Sequence, residues 1–286
     1  MLREIRELGF EYAELSHGIR ISLLPGILEA VDAGEIKIST LHNFCPLPMG
    51  VNQAAPNLFL FSSPDERERE NAFRHSMKTI ETATRLKAQA VVLHMGCIEM
   101  KNYTEKLLGL IAGGKKEGSK FEKISEEVFE KREQKKEKFV EQSSQMLRRL
   151  AEPAAARGIK LGIENRESLE EIPIDADFPL LFREFPSETI CYWHDTGHAQ
   201  IKDNLGFINH AVHLKSMTER LLGFHIHDVE FPGRDHRCPG SGMVNFAALK
   251  PMVKPEHIKV FEFSPSLKPE EAQQGIAHIK NLWGNE

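Results

Sequence analysis

The sequence predicts an α/β chain folded as a (β/α)8 TIM barrel with its first strand apparently missing. Three observations carry this. Brief apolar runs alternate with helical patterns along the whole chain, the mark of a parallel sheet built from βαβ units. The runs are rich in Ile, Val, Leu and Phe and alternate little with polar residues, as suits strands covered on both faces. The 286 residues suit one large barrel, so residues 1–286 are read as a single domain.

The elements follow in order. The chain opens on an amphipathic helical pattern, LREIRELG (Leu2–Gly9), where a barrel normally opens on a strand. Strands are then expected at Glu11–Ser16, Glu35–Asn43, Ala88–Gly96, Ile159–Asn165, Glu188–Asp195, Leu221–Asp228 and His257–Ser264. These are seven strands rather than eight. Either the first was lost, or the start is placed too late, or another chain completes the barrel. An open sheet edge would invite a second copy.

Between the strands lie helical patterns. Ser63–Ala88 begins with a Ser-Pro-Asp-Glu start signal and carries Phe73, Met77, Ile80, Ala83 and Leu86 at helical spacing. Lys120–Arg157 reads as one long charged helix or a helix pair. Its run EKREQKKEKF mixes signs at i,i+4 spacing, which marks a solvated face more than a nucleic-acid surface. KPEEAQQGIAHIKNLW closes the chain as a helix, and GLIAGGKKEGSK is a loop inside the domain.

Composition narrows the function classes. The net charge of −5 gives no global attraction to nucleic acid or anionic lipid. No stretch approaches the ~20 apolar residues of a membrane helix. The acidic N-terminal pattern is not a secretory signal. Cys45, Cys97, Cys191 and Cys238 are far apart with no CxxC, so reduced thiols in a cytoplasmic protein are expected.

Ligand-type residues recur where strands end: His42, His94, Glu164, Asp195, His225 and Glu262. From Glu164 the gaps are 31, 30 and 37 residues, about one βα unit each. Such positions converge at the C-terminal face of a barrel, where active sites lie. Three carboxylates and an imidazole there suit Mn²⁺, Co²⁺, Mg²⁺ or Zn²⁺. Each has a plainer reading: Asp195 could cap the helix after it, and Glu164 could pair with Arg166. Gathered at one barrel mouth, several carboxylates need a cation.

The stretch WHDTGHAQ (Trp193–Gln200) adds His198 as an additional ligand or a group orienting Asp195. His194 should face away from Asp195 by strand alternation and pack under a loop. His227, two residues after His225, shares its face, while Asp228 faces away or supports a loop. His17 could line the pocket. Arg234 and Arg237 are candidates for a substrate phosphate or carboxylate. PGSG (Pro239–Gly242) is a tight turn whose N–H groups could also receive an anion. Cys45 and Cys97, each three residues after a strand-end His, read as bystanders. His210 and His213 carry no site argument.

Five motifs in order, LGIENRE, WHDTGHA, FHIHD, DHRCPGSGMVNF and VFEFS, resemble the xylose isomerase-like TIM-barrel family. This is the superfamily of sugar phosphate isomerases and epimerases and of apurinic endonucleases. The resemblance runs from about FEYAELS to HIKNLW. Its ketose epimerase branch implies a metal at the residues matching Glu164, Asp195, His225 and Glu262. There the two glutamates double as acid/base catalysts, and His198 binds a substrate oxygen or orients Asp195. The expectation is an isomerase or epimerase acting on a sugar, sugar phosphate or related keto-polyol through a metal-stabilised enediolate. A lyase of the inosose dehydratase kind would use the same constellation.

The endonuclease branch implies a three-zinc cluster at His42, His94, Glu164, Asp195, His198, His225, His236 and Glu262. One ligand departs, since Arg234 stands where that branch has Asp, with Asp235 next to His236 instead. The acidic net charge also disfavours a DNA enzyme. A third class is a non-catalytic sugar- or metal-binding protein.

Overall fold

The computed structural model describes residues 2–284. Its strands are β1 (Tyr12–Leu15), β2 (Lys37–His42), β3 (Ala90–Leu93), β4 (Lys160–Glu164), β5 (Ile190–Asp195), β6 (Leu221–Ile226), β7 (Asp228–Glu230), β8 (Arg234–Arg237) and β9 (Ile258–Phe261). Its helices are α1 (Leu2–Glu7), α2 (Leu24–Asp32), α3 (Glu66–Arg85), α4 (Tyr103–Ala112), α5 (Ser119–Ala155), α6 (Phe178–Glu184), α7 (Thr196–Leu205), α8 (His210–Met217), α9 (Phe246–Leu249) and α10 (Pro269–Trp283).

Seven parallel strands follow one another in the order β1-β2-β3-β4-β5-β6-β9. This is the strand order of a (β/α) barrel short of one strand, and each of the seven expected strands is present at its place. β7 and β8 form a separate antiparallel pair that the sequence reading did not foresee. They span three and four residues and are largely polar, so no apolar run announces them. The charged stretch after residue 119 is one helix, α5, with Pro153 inside its last turn. Among the described residues no helix is long and apolar enough to cross a membrane.

The chain divides into two compact units. The first holds residues up to Cys97, Lys138–Glu164 and Pro179–Cys191. In it β2 meets β3 with His42 opposite Val92, and β3 meets β4 with Leu93 opposite Ile163. Leu41, Val91, Leu161 and Ile163 have no exposed surface, and each such side chain contributes roughly 1.5–3 kcal/mol by leaving water. α3 starts where the Asp65 carboxylate accepts the Arg67 N–H at 2.9 Å, and it buries Ala72, Ile80 and Ala83. α1 buries none of its residues.

The second unit holds Ile98–Glu137, Asn165–Phe178 and the chain from Tyr192 onward. Here Asp195 stands opposite His225, and Ile226 opposite Phe261. α7 is capped by Asp195 and ends at Gly206, whose φ of 86° lies in the left-handed region. Tyr103, Leu107, Phe121, Val128, Leu169, Ile201, Leu205 and Val229 form one buried cluster. It packs α4 and the start of α5 against α7. Arg132 of α5 is buried in the same unit, donating to the carbonyls of Leu169 and Glu171 and to Asp177.

His194 does turn away from Asp195, and it enters a hydrogen-bonded chain rather than merely packing. Tyr192 Oη lies 2.9 Å from His194 Nδ1 and 2.8 Å from His213 Nε2. His194 Nε2 lies 2.9 Å from His210 Nε2, and His210 Nδ1 lies 3.2 Å from Gln200 Oε1. Gln200 Nε2 donates to Asn204, so its oxygen is the acceptor for His210. One pattern satisfies every contact. His210 Nδ1–H donates to Gln200, His194 Nε2–H to His210, Tyr192 O–H to His194, and His213 Nε2–H to Tyr192. His213 Nε2 is also 3.2 Å from Asp175, which pairs with buried Lys202. A second proton on His210 would set its Nε2–H against that of His194, and one on His194 Nδ1 would leave the Tyr192 hydroxyl hydrogen without an acceptor, so both are neutral. Burial, with smaller repulsion from His213, pushes His210 down to about 3. Burial pushes His213 down to about 4 against the pull of Asp175.

Both histidines bind protons more readily unfolded, where their pKa is about 6.5, so their contribution to stability falls as pH drops below that value. The urea midpoint should decline as pH falls from 6.5 to 4. That decline should be shallower in His210→Gln, measured by circular dichroism.

Candidate metal centre

In the first unit, parallel registration carries His42, His94 and Glu164 to the ends of three neighbouring strands. His42 Nε2 lies 2.8 Å from His94 Nε2, which lies 2.9 Å from Glu164 Oε2. All three are buried. One nitrogen of His94 therefore faces both a nitrogen and a carboxylate oxygen. A single ring proton cannot serve both as a donor to Glu164 and leave a lone pair for His42. Convergence of three donor atoms on one point is how ligands, rather than hydrogen-bond partners, are arranged, and the trio is a candidate cation group. Glu14 of β1 extends it, with a carboxylate oxygen 3.8 Å from His42 Nδ1 and the other accepting from Thr40 at 2.6 Å. His17 stacks edge-on against His42 at 5.2 Å. Cys45 is buried and its thiol is pushed up to about 12, first by burial and then by Glu14, so it is inert at neutral pH.

In the second unit, Asp195 is the organising group. Oδ1 accepts the His198 N–H at 2.7 Å, and Oδ2 lies 2.9 Å from His227 Nε2. Asn165 fixes the strand end from the side, its Oδ1 accepting the Asp195 N–H and its Nδ2 donating to the Asp195 carbonyl. Asp195 is therefore both a helix cap and a member of a polar cluster, and the two readings of it do not compete. His225 Nδ1 is 3.9 Å from Asp195 and 3.3 Å from Glu262. His198 Nδ1 lies 3.0 Å from the Asn165 carbonyl. Arg166 Nε donates to Glu171 at 3.0 Å, and its Nη1 lies 3.4 Å from His198.

The β7–β8 hairpin brings the remaining imidazoles. His236 stacks on His227 at 4.3 Å with rings 6° apart, and it sits at φ 53°. That left-handed backbone is rare for a residue with a Cβ and is held here by its surroundings. His236 Nδ1 is 3.1 Å from Asp235, and its Nε2 is 3.8 Å from Glu262. Burial disfavours charge on His236, but the nearby carboxylates of Asp235 and Glu262 outweigh it and hold the imidazolium up to about 11. Burial also opposes the Asp235 carboxylate, yet His236 holds it below its ordinary value.

Arg234 stands apart. It is exposed and faces Glu230 of its own hairpin at 3.5 Å, as Arg237 does at 3.4 Å. The PGSG turn holds no open anion nest either. The buried Asp228 carboxylate accepts the N–H groups of Val229, Gly240, Gly242 and Val244 at 2.8–2.9 Å. The notion of an external anion there is corrected, because the chain supplies its own. Gly242 is obligatory, since a Cβ would lie 2.3 Å from the Val229 carbonyl.

One group escaped sequence reading. Glu167 lines a cavity with Asn102, Thr104, Leu108, Ser168 and Ile201. Burial raises its pKa, with opposing influence from His198. Its only sequence signal is its place three residues after Glu164.

The chain belongs to the xylose isomerase-like TIM-barrel family, whose model matches residues 2–282. No curated protein matches it by sequence. Among solved structures it is similar to a D-tagatose 3-epimerase-like protein, with 18% identity, a TM-score of 0.69, and 98% of this chain and 90% of that one covered. It is also similar to 3-keto-D-glucoside 4-epimerase from E. coli, with 15% identity, a TM-score of 0.66, and 98% and 92% coverage. A third is the IolI protein with a bound zinc atom, with 17% identity, a TM-score of 0.65, and 98% and 92% coverage. At such identities these likenesses speak to fold.

Asp228→Ala would strip the acceptor from four N–H groups, and the two on buried Val229 and Val244 cost about 1–3 kcal/mol each when left unpaired. A loss of at least about 2 kcal/mol in urea unfolding is expected, whereas Ser241→Ala should change stability by less than about 1 kcal/mol.

Proposed function

We propose that the protein is a divalent-metal-dependent isomerase or epimerase of a sugar, sugar phosphate or related keto-polyol. The ion would be held by Glu164, Asp195, His225 and Glu262, which can each offer one donor atom to a common ion. The observation that carries this reading is the buried Asp195 carboxylate set opposite His225, with Glu262 directly after the strand paired to β6. Glu164 precedes Asn165, whose amide is bonded to the Asp195 backbone. The donor set fits the group: carboxylates and imidazole are hard-to-borderline ligands for Mn²⁺, Co²⁺, Mg²⁺ or Zn²⁺. The zinc-bound IolI structure and the epimerases among the similar structures point the same way.

A bound ion would supply positive charge against the oxygen that becomes negative as a C–H proton leaves. The residues do the rest. One of Glu164 and Glu262 takes the proton at a carboxylate oxygen, and the other returns a proton to the opposite face or the neighbouring carbon. His236, charged and held near Glu262, favours the ionised carboxylate that a base requires. His198 and His42 supply imidazole edges for substrate hydroxyl groups. A lyase would share the proton abstraction and lose a hydroxyl afterwards.

A second reading, multi-zinc phosphodiester hydrolysis at abasic DNA, is favoured by one observation, the convergent His42–His94–Glu164 trio. Metal content separates the two: one ion per chain fits the sugar enzyme, and three fit the hydrolase.

Metal-loaded protein should catalyse solvent deuterium exchange into a ketose or ketose phosphate, followed by NMR across a panel. Glu164→Gln and Glu262→Gln should each lose at least about 10²-fold of the exchange rate. Normal exchange in both variants would refute the acid/base assignment.

A further inference from the structure

The imidazole of His227 is fully buried, and both of its nitrogens are engaged by the protein. Nδ1 receives the backbone N–H of His236 at 3.0 Å, and Nε2 lies 2.9 Å from Asp195 Oδ2. Nδ1 is therefore the acceptor, Nε2 carries the hydrogen, and that hydrogen is donated to Asp195. Geometry decides the proton's place, because the His236 N–H occupies the Nδ1 edge. The backbone is locked as well: the His227 N–H reaches Thr196 Oγ1 at 3.1 Å, while that hydroxyl donates to the His227 carbonyl at 2.7 Å.

The ring's faces are equally fixed. One is covered by the parallel His236 ring. Close beside the imidazole lies Gly197, in the first turn of α7, where a Cβ would stand 2.0 Å from His227 Cε1. No side chain fits at position 197 while His227 holds this place, so the glycine of DTGH and the second histidine of HIHD are a matched pair.

We infer that His227 is not a metal ligand but a positioning residue, whose Nε2–H fixes the rotation of the Asp195 carboxylate and so sets metal affinity. This rests on the proposed metal site. Coordination by either nitrogen would require losing the hydrogen bond to Asp195 or to His236. A hydrogen-bond donor behind a ligating group typically matters 10–100-fold in affinity.

The test is Mn²⁺ binding to the full chain, read by the EPR signal of free Mn²⁺. His227→Leu should bind at least about tenfold more weakly than wild type. His227→Gln, whose amide can still reach Asp195, should recover most of the loss. Leu binding within threefold of wild type would overturn the inference. Where Leu does not fold, Gln against His227→Asn decides, since Asn is too short to reach, and equal affinities overturn it. Failure of the wild type to bind Mn²⁺ would sink the metal site itself, a separate outcome.

Discussion

A buried carboxylate at the end of β5 is the constraint around which the second unit is arranged. Asp195 has no contact with solvent, and an isolated charge in that position would be prohibitively costly. The chain meets the cost locally. The first turn of α7 offers a backbone N–H, and the dipole of the helix adds positive potential at the same point. His227 offers a ring N–H, and Asn165 secures the strand on either side of the carboxylate. The direction of α7, the placement of His198 and the seat of the hairpin all follow from these bonds.

The same economy governs the far face of β5. Its side chains alternate, so the residue before Asp195 must point the other way. There His194 meets Tyr192, His210 and His213, with every polar hydrogen assigned a single direction. A buried network satisfied in one arrangement rigidifies what it joins. It ties β5 to α7 and α8 behind the strand whose end carries the site.

What could be read from the sequence divides along the length scale of the signal. The seven strands were legible because apolar runs such as AVVL and LLGFHI need no partner to be recognised. The strand-end carboxylates and histidines were legible because βα spacing repeats. The hairpin was not, since its pairing depends on a turn between polar residues and on neighbours far along the chain. Nor was the fate of His227 and Arg234, both plausible on the strand pattern. One lies behind Asp195 where Gly197 leaves room for it, the other is exposed on the hairpin beside Glu230. His210 and His213 gave no signal at all, because a hydrogen-bonded chain has no periodicity.

Asp228 shows how a loop can be specified from outside itself. The turn after β8 takes its shape from a carboxylate ten or more positions earlier, which gathers main-chain amides rather than side chains. Apart from Gly240, whose φ of 87° lies in the left-handed region, and Gly242, which must pass close to the Val229 carbonyl, the identities of the turn's own residues matter little to its path. Ser241 is exposed there. Its side chain can drift over evolutionary time, or be rewritten by an engineer, while the curve of the main chain beneath it stays as Asp228 drew it.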